Sequence, residues 1–249
     1  MDVGFYKNYF ELEKNNWWFK ARRNIIFSQL DKHIKSKPQE ATVFDLGCGS
    51  GFLVGELQKR GFQAYGSDIS REAIEYGKNR GIENLKVREG DGVNFPDNYF
   101  DLVLALDVLE HIENDSKAIG ELNRVLRPGG MAIITVPAYM FLWGVQDEVS
   151  RHFRRYTLSK LVEKIKKNSD LRMVKKSYFN TLLFLPIALF RFLSKFATQP
   201  KRESDFEIGN GLANSIFYNI FNLETFWLRH FNFPFGVSIL LVLRKNAAY

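Results

Sequence analysis

Apolar residues recur along this chain in two alternating rhythms. Between residues 5 and 35 they fall at helical spacing, at Phe10, Trp17, Trp18, Phe19, Ile25, Ile26, Leu30 and Ile34, which predicts one or two helices. The rhythm then shortens. Val43-Phe44-Asp45-Leu46 is a compact apolar run, and Gly47, Gly49 and Gly51 follow at every second position. Beyond Gly51, Phe52, Leu53, Val54 and Leu57 fall on one side and Glu56, Lys59 and Arg60 on the other. That succession reads as a buried strand, a tight glycine turn and a helix whose N-terminus opens at the turn.

The alternation continues. Gln63 to Asp68 is a short strand ending in an acid, and Arg71 to Asn79 is a helix entered through Ser70 as its cap. Leu85 to Glu89 is a third strand, and Phe100 to Leu106 is an uninterrupted apolar strand of the kind found in the middle of a parallel sheet. Asp115 to Leu126 is a helix stopped by Arg127-Pro128-Gly129-Gly130, and Met131 to Val136 is the fifth strand. A helix runs through Leu158, Leu161, Val162 and Ile165; Arg172 to Phe179 is the sixth strand and Phe235 to Arg244 the seventh. Alternating strands and helices of this kind form right-handed crossovers in a doubly wound sheet, whose ligands bind beyond the carboxyl ends of the strands.

Those ends carry acids: Asp45, Asp68, Asp91 and Asp107. Each alone could cap a helix, and the glycines alone could make a plain turn. Together they describe a ligand site. Glycine lets the backbone turn sharply and approach a ligand, and free N–H groups at the helix start face it. Asp68 lies roughly 20 residues after the turn, where an acid accepts from ribose hydroxyls.

Composition narrows the class. The 249 residues are 45% hydrophobic, enough for a full core. Cys48 is the single cysteine, so no internal disulfide forms; with an N-terminus unlike a signal peptide, this suggests a cytoplasmic protein. The net charge of +7 suits nucleic acid, an anionic membrane surface, or simply a basic cytoplasmic protein.

The run Asp45-Leu46-Gly47-Cys48-Gly49-Ser50-Gly51 resembles the first motif of class I S-adenosylmethionine-dependent methyltransferases. Glu89-Gly90-Asp91 through Phe95-Pro96, Phe100-Asp101-Leu102-Val103, Val108-Leu109-Glu110-His111 and Leu126 to Gly130 resemble the continuation in their small-molecule branch. The resemblance is specific over residues 40–137. It implies a Rossmann-like α/β fold with a seven-stranded, mostly parallel sheet, and S-adenosyl-L-methionine as cofactor. Asp45, Gly47, Cys48, Gly49 and Gly51 would border its methionine part. Asp68 with Ile69 would hold the ribose, and Asp91 with Gly92 the adenine. Leu106 and Asp107 would lie near the methyl. Apart from the resemblance, the cluster Trp17 to Arg23 could stack an aromatic on a nucleoside and aim Arg22, or its neighbour Arg23, at a carboxylate, or simply be a packing helix with solvated basic residues. A dinucleotide dehydrogenase would carry its third glycine at Phe52, so this chain fits that class poorly.

Beyond Pro137 the chain departs from the pattern. The aromatic run Tyr139 to Trp143, with Asp147, Glu148 and Arg151 to Thr157, occupies the loop that shapes the acceptor pocket in this fold. His111, His152 and Tyr156 are the candidates for orienting or deprotonating an acceptor, His111 being equally able to cap a helix, and the whole loop equally able to be a salt-bridged closure. Some 50 residues separate strands six and seven where a short hairpin is usual. We therefore divide the chain into an N-terminal helical cap (1–38), a core (39–180 and 234–249) and an apolar helical insertion (181–233). The run Thr181 to Phe190 is too short to span a bilayer. It reads as a lid over a greasy acceptor, a homodimer face, a peripheral membrane contact, or ordinary packing.

Metal-ligand spacing is not visible, so methyl transfer without a metal is expected, to a small-molecule, apolar or lipid-linked acceptor, in the cytoplasm or at the membrane surface. Two alternatives stay open: a non-catalytic S-adenosylmethionine-binding partner subunit, and an RNA methyltransferase. Nucleic acid is the less favoured acceptor, because Leu106-Asp107-Val108-Leu109 lacks the Asn-Pro-Pro-Tyr-type motif expected at that position.

Overall fold

The computed structural model describes residues 3–34, 37–90, 92–194 and 211–247. Helices α1 (Val3–Asn15) and α2 (Trp17–His33) open the chain. Asn16 parts them, its side chain accepting from the Trp18 N–H to cap α2. Strands β1 (Thr42–Leu46), β2 (Gln63–Asp68), β3 (Leu85–Val87), β4 (Phe100–Leu106), β5 (Leu126–Pro137), β6 (Arg172–Phe179) and β7 (Ser238–Arg244) form one sheet. Between them run α3 (Phe52–Lys59), α4 (Arg71–Asn79), α5 (Asp115–Val125), α6 (Val145–Val149), α7 (Leu158–Asn168), α8 (Phe184–Ser194) and α9 (Leu212–His230).

The strand order is β3-β2-β1-β4-β5-β7-β6, with β7 antiparallel to both its neighbours and the other pairs parallel. The order reverses between β1 and β4, so the ligand crevice belongs at their carboxyl ends. The expected seven-stranded sheet is present, with three differences at strand ends. β3 stops at Val87, short of Glu89, and β7 starts at Ser238 instead of Phe235. β5 starts at Leu126, and Arg127 to Gly130 bulges out of it instead of preceding it; the pairing with β4 slips between Phe100 and Leu102. Pro128 has no N–H to give a neighbour and Gly129 has φ +79°, so this stretch leaves the ladder and rejoins at Met131.

Side-chain alternation sends the two faces of the sheet into separate cores. Val43, Leu102, Leu104 and Ile133 meet α2, α3 and α9 through Ile25, Val54, Leu57, Phe221 and Leu228. Phe44, Val103, Ala105 and Ile134 meet α5 and α7 through Ile119, Leu122, Leu161 and Ile165. Each such side chain contributes about 1.5–3 kcal/mol by leaving water.

Helices α2 and α9 pack together as one layer. Trp17 packs on Phe217 and Phe221, Asn24 bonds Tyr218 and Asn222, and Gln29 donates to the Leu228 carbonyl. α8 differs, for none of its residues is buried. No helix among the described residues is long and apolar enough to cross a membrane. The polar break at Gln199 to Glu207 lies outside the described residues.

Candidate functional site

The glycine turn joins β1 to α3 in left-handed backbone, with φ of +71°, +55° and +77° at Gly47, Gly49 and Gly51. It is tied to the end of β2. The Gly47 and Cys48 N–H groups donate to the Ser67 carbonyl at 2.8 and 3.1 Å, and Gly49 N–H donates to Asp68 Oδ2 at 2.9 Å. Ser70 N–H donates to Asp68 Oδ1 at 2.9 Å, so the acid is aimed before any ligand arrives. The glycines do different work. A Cβ on Gly47 would lie 2.3 Å from Val108 Cγ2, whereas one on Gly49 would meet only Tyr9 Cε1, at 3.8 Å. Gly47 is there for close packing; Gly49 faces the open side of the turn.

Acids converge on that open side. Asp45 is buried, and burial, reinforced by the charge of Glu13, pushes it up to about 8. Burial pushes Glu13 up to about 7 against the opposing pull of Arg22, and Ser50 Oγ donates to it at 3.4 Å. Asp107 ends the β4 side in left-handed backbone at φ +56°, a strained state for a non-glycine residue. Its carboxylate pairs with the Arg22 guanidinium, which lies 4.6 Å from the Trp18 ring centre. Arg23 instead donates to the Glu13 carbonyl.

This donor set fits S-adenosylmethionine. Its cationic end suits a nest of under-neutralised carboxylates, its diol suits Asp68, its carboxylate suits a guanidinium, and the space before Gly49 is what a Cβ would fill. Ile69 stands 69% exposed at the lip beside Asp68, Cys48 is buried, and Leu106 is half-buried against the core. Gly92 is exposed, and Asp91 lies outside the described residues. Sequence reasoning missed Tyr9 and Glu13, which α1 lays over the turn. They stand four residues apart, hence on one helix face, and that spacing was the available signal. A large surface depression of about 990 Å³ lies elsewhere, at the amino-terminal end of β2 between α3 and the α4–β3 turn.

The opposite wall is built by residues 108–156. A 3-10 turn, Leu109–His111, follows β4. Phe153 N–H donates to the Glu110 carbonyl at 2.8 Å, which brings His152 to His111 with ring centres 4.5 Å apart and planes perpendicular. His152 Nδ1 is 2.9 Å from Asp147 Oδ1. Asp147 is fully buried and also receives both ends of the Arg155 fork, at 2.7 and 2.9 Å, the Gly144 N–H at 2.8 Å, and Arg191 of α8 at 3.3 Å. Burial alone would raise its pKa, but the bonds from His152 and Arg155 hold it below the usual carboxylate range. Desolvation and the adjacent His152 lower His111 to about 4. Tyr156 donates to Asp115 at 2.7 Å and sits 3.3 Å from the Leu109 carbonyl, so its hydroxyl anchors the 3-10 turn from behind.

The start of the same loop, just after β5, enters an aromatic stack. Tyr139, with φ +56°, packs between Phe141 and Tyr178 at 5.2 Å from each, and Phe184 of α8 closes edge-on at 6.1 Å. The structure thus gathers Arg22, Asp45, the glycines, Asp68 and Asp107 in one half, and His111 and His152 in the other. Tyr156 is placed behind the second.

Residues 44–134 match a family model described as a methyltransferase domain. The chain is 28% identical over 142 residues to a ubiquinone biosynthesis O-methyltransferase of Rickettsia felis, a match covering 51% of this chain and 58% of that protein. It is 30% identical over 144 residues to a tRNA (carboxymethyluridine(34)-5-O)-methyltransferase of Arabidopsis thaliana, covering 56% and 33% respectively. These matches span only part of each relative's length. A SAM dependent methyltransferase from Archaeoglobus fulgidus shares the fold, with a TM-score of 0.56 at 18% identity over 95% of this chain and 99% of that one.

Proposed function

We propose that this chain, which carries an S-adenosylmethionine-dependent methyltransferase domain of the class I fold, methylates a small, largely apolar acceptor. The acceptor would lie between Asp107 and residues 138–156. The observation that carries this reading is the aromatic stack in which Tyr139 and Phe141, on the same loop as His152, pack with Tyr178 of β6 and Phe184 of α8. An apolar body fits the rings, and its nucleophilic atom meets the imidazoles.

When bound, the cofactor supplies a methyl group made electrophilic by a sulfonium. The chain's residues do the rest. Asp68, aimed by the Gly49 N–H, holds the ribose beside Ile69, while Gly47, Gly49, Gly51 and Cys48 border the methionine part and Leu106 lies near the methyl. Arg22, steadied by Asp107, receives the carboxylate. Asp147 keeps the Nδ1 proton on His152, so Nε2 is the atom left to accept a proton from the acceptor. His111 packs edge-on against that ring, and Tyr156 positions the turn that carries it. Helices α2 and α8 close the site from water, joined to it through Arg22 and through the Arg191–Asp147 contact.

The test is transfer of labelled methyl from S-adenosylmethionine to fractionated lipids, small metabolites and RNA. Label in a small apolar product is expected, with His152→Ala lowering kcat by about 10²–10⁴-fold at unchanged KM for the cofactor. Cofactor binding without transfer to any fraction would instead favour a partner subunit. The Arabidopsis relative and the charge of +7 favour a second reading, an RNA acceptor; label in RNA, with salt-sensitive binding, would establish it.

The surface of α8 and α9 extends the first reading. Leu185, Leu189, Phe192, Leu193, Leu223 and Phe226 are all exposed there, as suits a lipid-linked acceptor reached from a membrane surface. Flotation with anionic liposomes that is lost in Phe192→Glu supports this; no flotation of the parent rejects it and leaves a homodimer face to be sought by sedimentation.

A further inference from the structure

We infer that Glu110, His111 and His152 form a binding site for one divalent transition cation of the zinc class. Each residue offers a ligand atom within 4.8 Å of the other two. They come from segments 41 residues apart, as 152 − 111 shows, so no local spacing announces them. The fold joins them through the Phe153 N–H to Glu110 carbonyl bond and the perpendicular imidazoles.

Two further features separate this group from an incidental cluster. First, both imidazoles are oriented from behind. His152 Nδ1 is fixed by Asp147, itself gripped by Arg155 and Gly144, and His111 bonds the backbone of Ser150. Metal-ligating histidines almost always have such a partner on the non-ligating nitrogen, which leaves the other nitrogen's lone pair aimed at the ion. Second, Glu110 is fully buried, and apart from its own backbone amide neither carboxylate oxygen meets a hydrogen-bond donor among the described residues. Arg155 and Arg22 act on it only through space, and a buried carboxylate without a direct partner is costly. A cation between it and the two histidines removes that cost.

The donor set states which cation. Two imidazoles and one carboxylate, with a fourth position open, are the ligands of several zinc sites. Calcium and magnesium prefer all-oxygen shells, and copper(I) prefers thiolate. Zinc bonds of about 2.0–2.2 Å require the three side chains to close in from their present separation.

With a cation bound, His152 Nε2 is a ligand and no longer a base. An acceptor hydroxyl on the open position would lose its proton to solvent and remain as the anion. That role rests on the methyl-transfer reading; cation binding does not.

The test uses the full chain, stripped with chelator and titrated with Zn²⁺ or Co²⁺. We expect one ion per chain, and for Co²⁺ the intense visible absorption of a four-coordinate site. Glu110→Gln, His111→Gln and His152→Ala should each weaken binding at least 10-fold, and Asp147→Asn about 10–100-fold, while His230→Gln, far along α9, leaves it unchanged. Glu110→Gln keeps the shape and removes the unpaired charge, so it folds where a truncation fails. Fewer than about one ion per ten chains in the parent, or equal binding in the Glu110 and His111 variants, overturns the proposal. Calorimetry with S-adenosylmethionine on the same samples separates the outcomes. Intact cofactor binding without metal binding sinks only this inference, and the reverse sinks only the methyltransferase reading.

Discussion

The two halves of the site are made by different means. The cofactor half is local. A single strand–turn–helix places Gly47, Gly49 and Gly51, and the neighbouring β2 supplies Asp68 through one hydrogen bond. The acceptor half is assembled at long range. Asp147 ties His152 and Arg155 of its own loop to Arg191 of α8, and Asp115 gathers Tyr156, Arg154 and Lys164 from about 40–50 residues away. Backbone geometry dictates the first half, where few residue types can turn left-handed or let a ligand near. Charge pairing dictates the second, where many arrangements of similar residues would serve.

That contrast can be broken from either side. The largest effect should come from Asp147→Ala. It leaves Arg155 with its carboxylate partner removed in a buried place, and losing one partner of a buried pair costs about 3–5 kcal/mol. At roughly 2–4 °C per kcal/mol, thermal unfolding should fall by about 10 °C. S-adenosylmethionine affinity in the protein that stays folded should be unchanged, whereas loss of that affinity would show that the halves are not separable.

Gly47→Ala comes next and strikes the other half. It combines a left-handed backbone penalty of about 1–2 kcal/mol with overpacking against Val108, typically 1–3 kcal/mol. A loss of about 3 kcal/mol in denaturant unfolding, together with lost cofactor binding, is expected; wild-type binding would mean that the turn does not form the site.

A smaller effect follows from the acids. Asp45 at about 8 and Glu13 at about 7 are raised by burial, so the free protein binds protons there that the unfolded chain, titrating near 4, has lost. The native state holds more protons, so stability declines as pH rises from about 4 to about 8. A cationic ligand favours the ionised forms and reverses this. Its binding near pH 7 should release a fraction of a proton and tighten from pH 6 to 7.5. Calorimetry in two buffers of different ionisation enthalpy reads the release, and equal heats in both would contradict the placement of the cationic end beside Asp45.

The same contrast explains what was legible in the sequence. The order of strands and helices, the Ser70 cap and the strand ends at Asp68, Leu106 and Phe179 follow from period and punctuation, and all are present. The start of β5 was misplaced because Pro128 and Gly129 look like a stop, yet here they bulge from a strand that has already begun pairing. Tyr9 and Glu13 were missed because α1 folds back over a turn that lies more than 30 residues away in sequence. The grouping of Glu110, His111 and His152 was invisible for the same reason. Trp17 could pack or stack on a ligand, and it packs, joining α9 through Phe217 and Phe221. An aromatic residue at helical spacing does not say which neighbour it meets.

The central claim is that Asp68, aimed by Gly49 and Ser70, holds the cofactor's ribose. Its most direct test is the dissociation constant of S-adenosylmethionine, by calorimetry, for the parent and for Asp68→Ala. Hydrogen bonds to a charged acceptor are worth about 1.5–3 kcal/mol each, so the account predicts binding weaker by about one to three orders of magnitude. Affinity equal to that of the parent would contradict it.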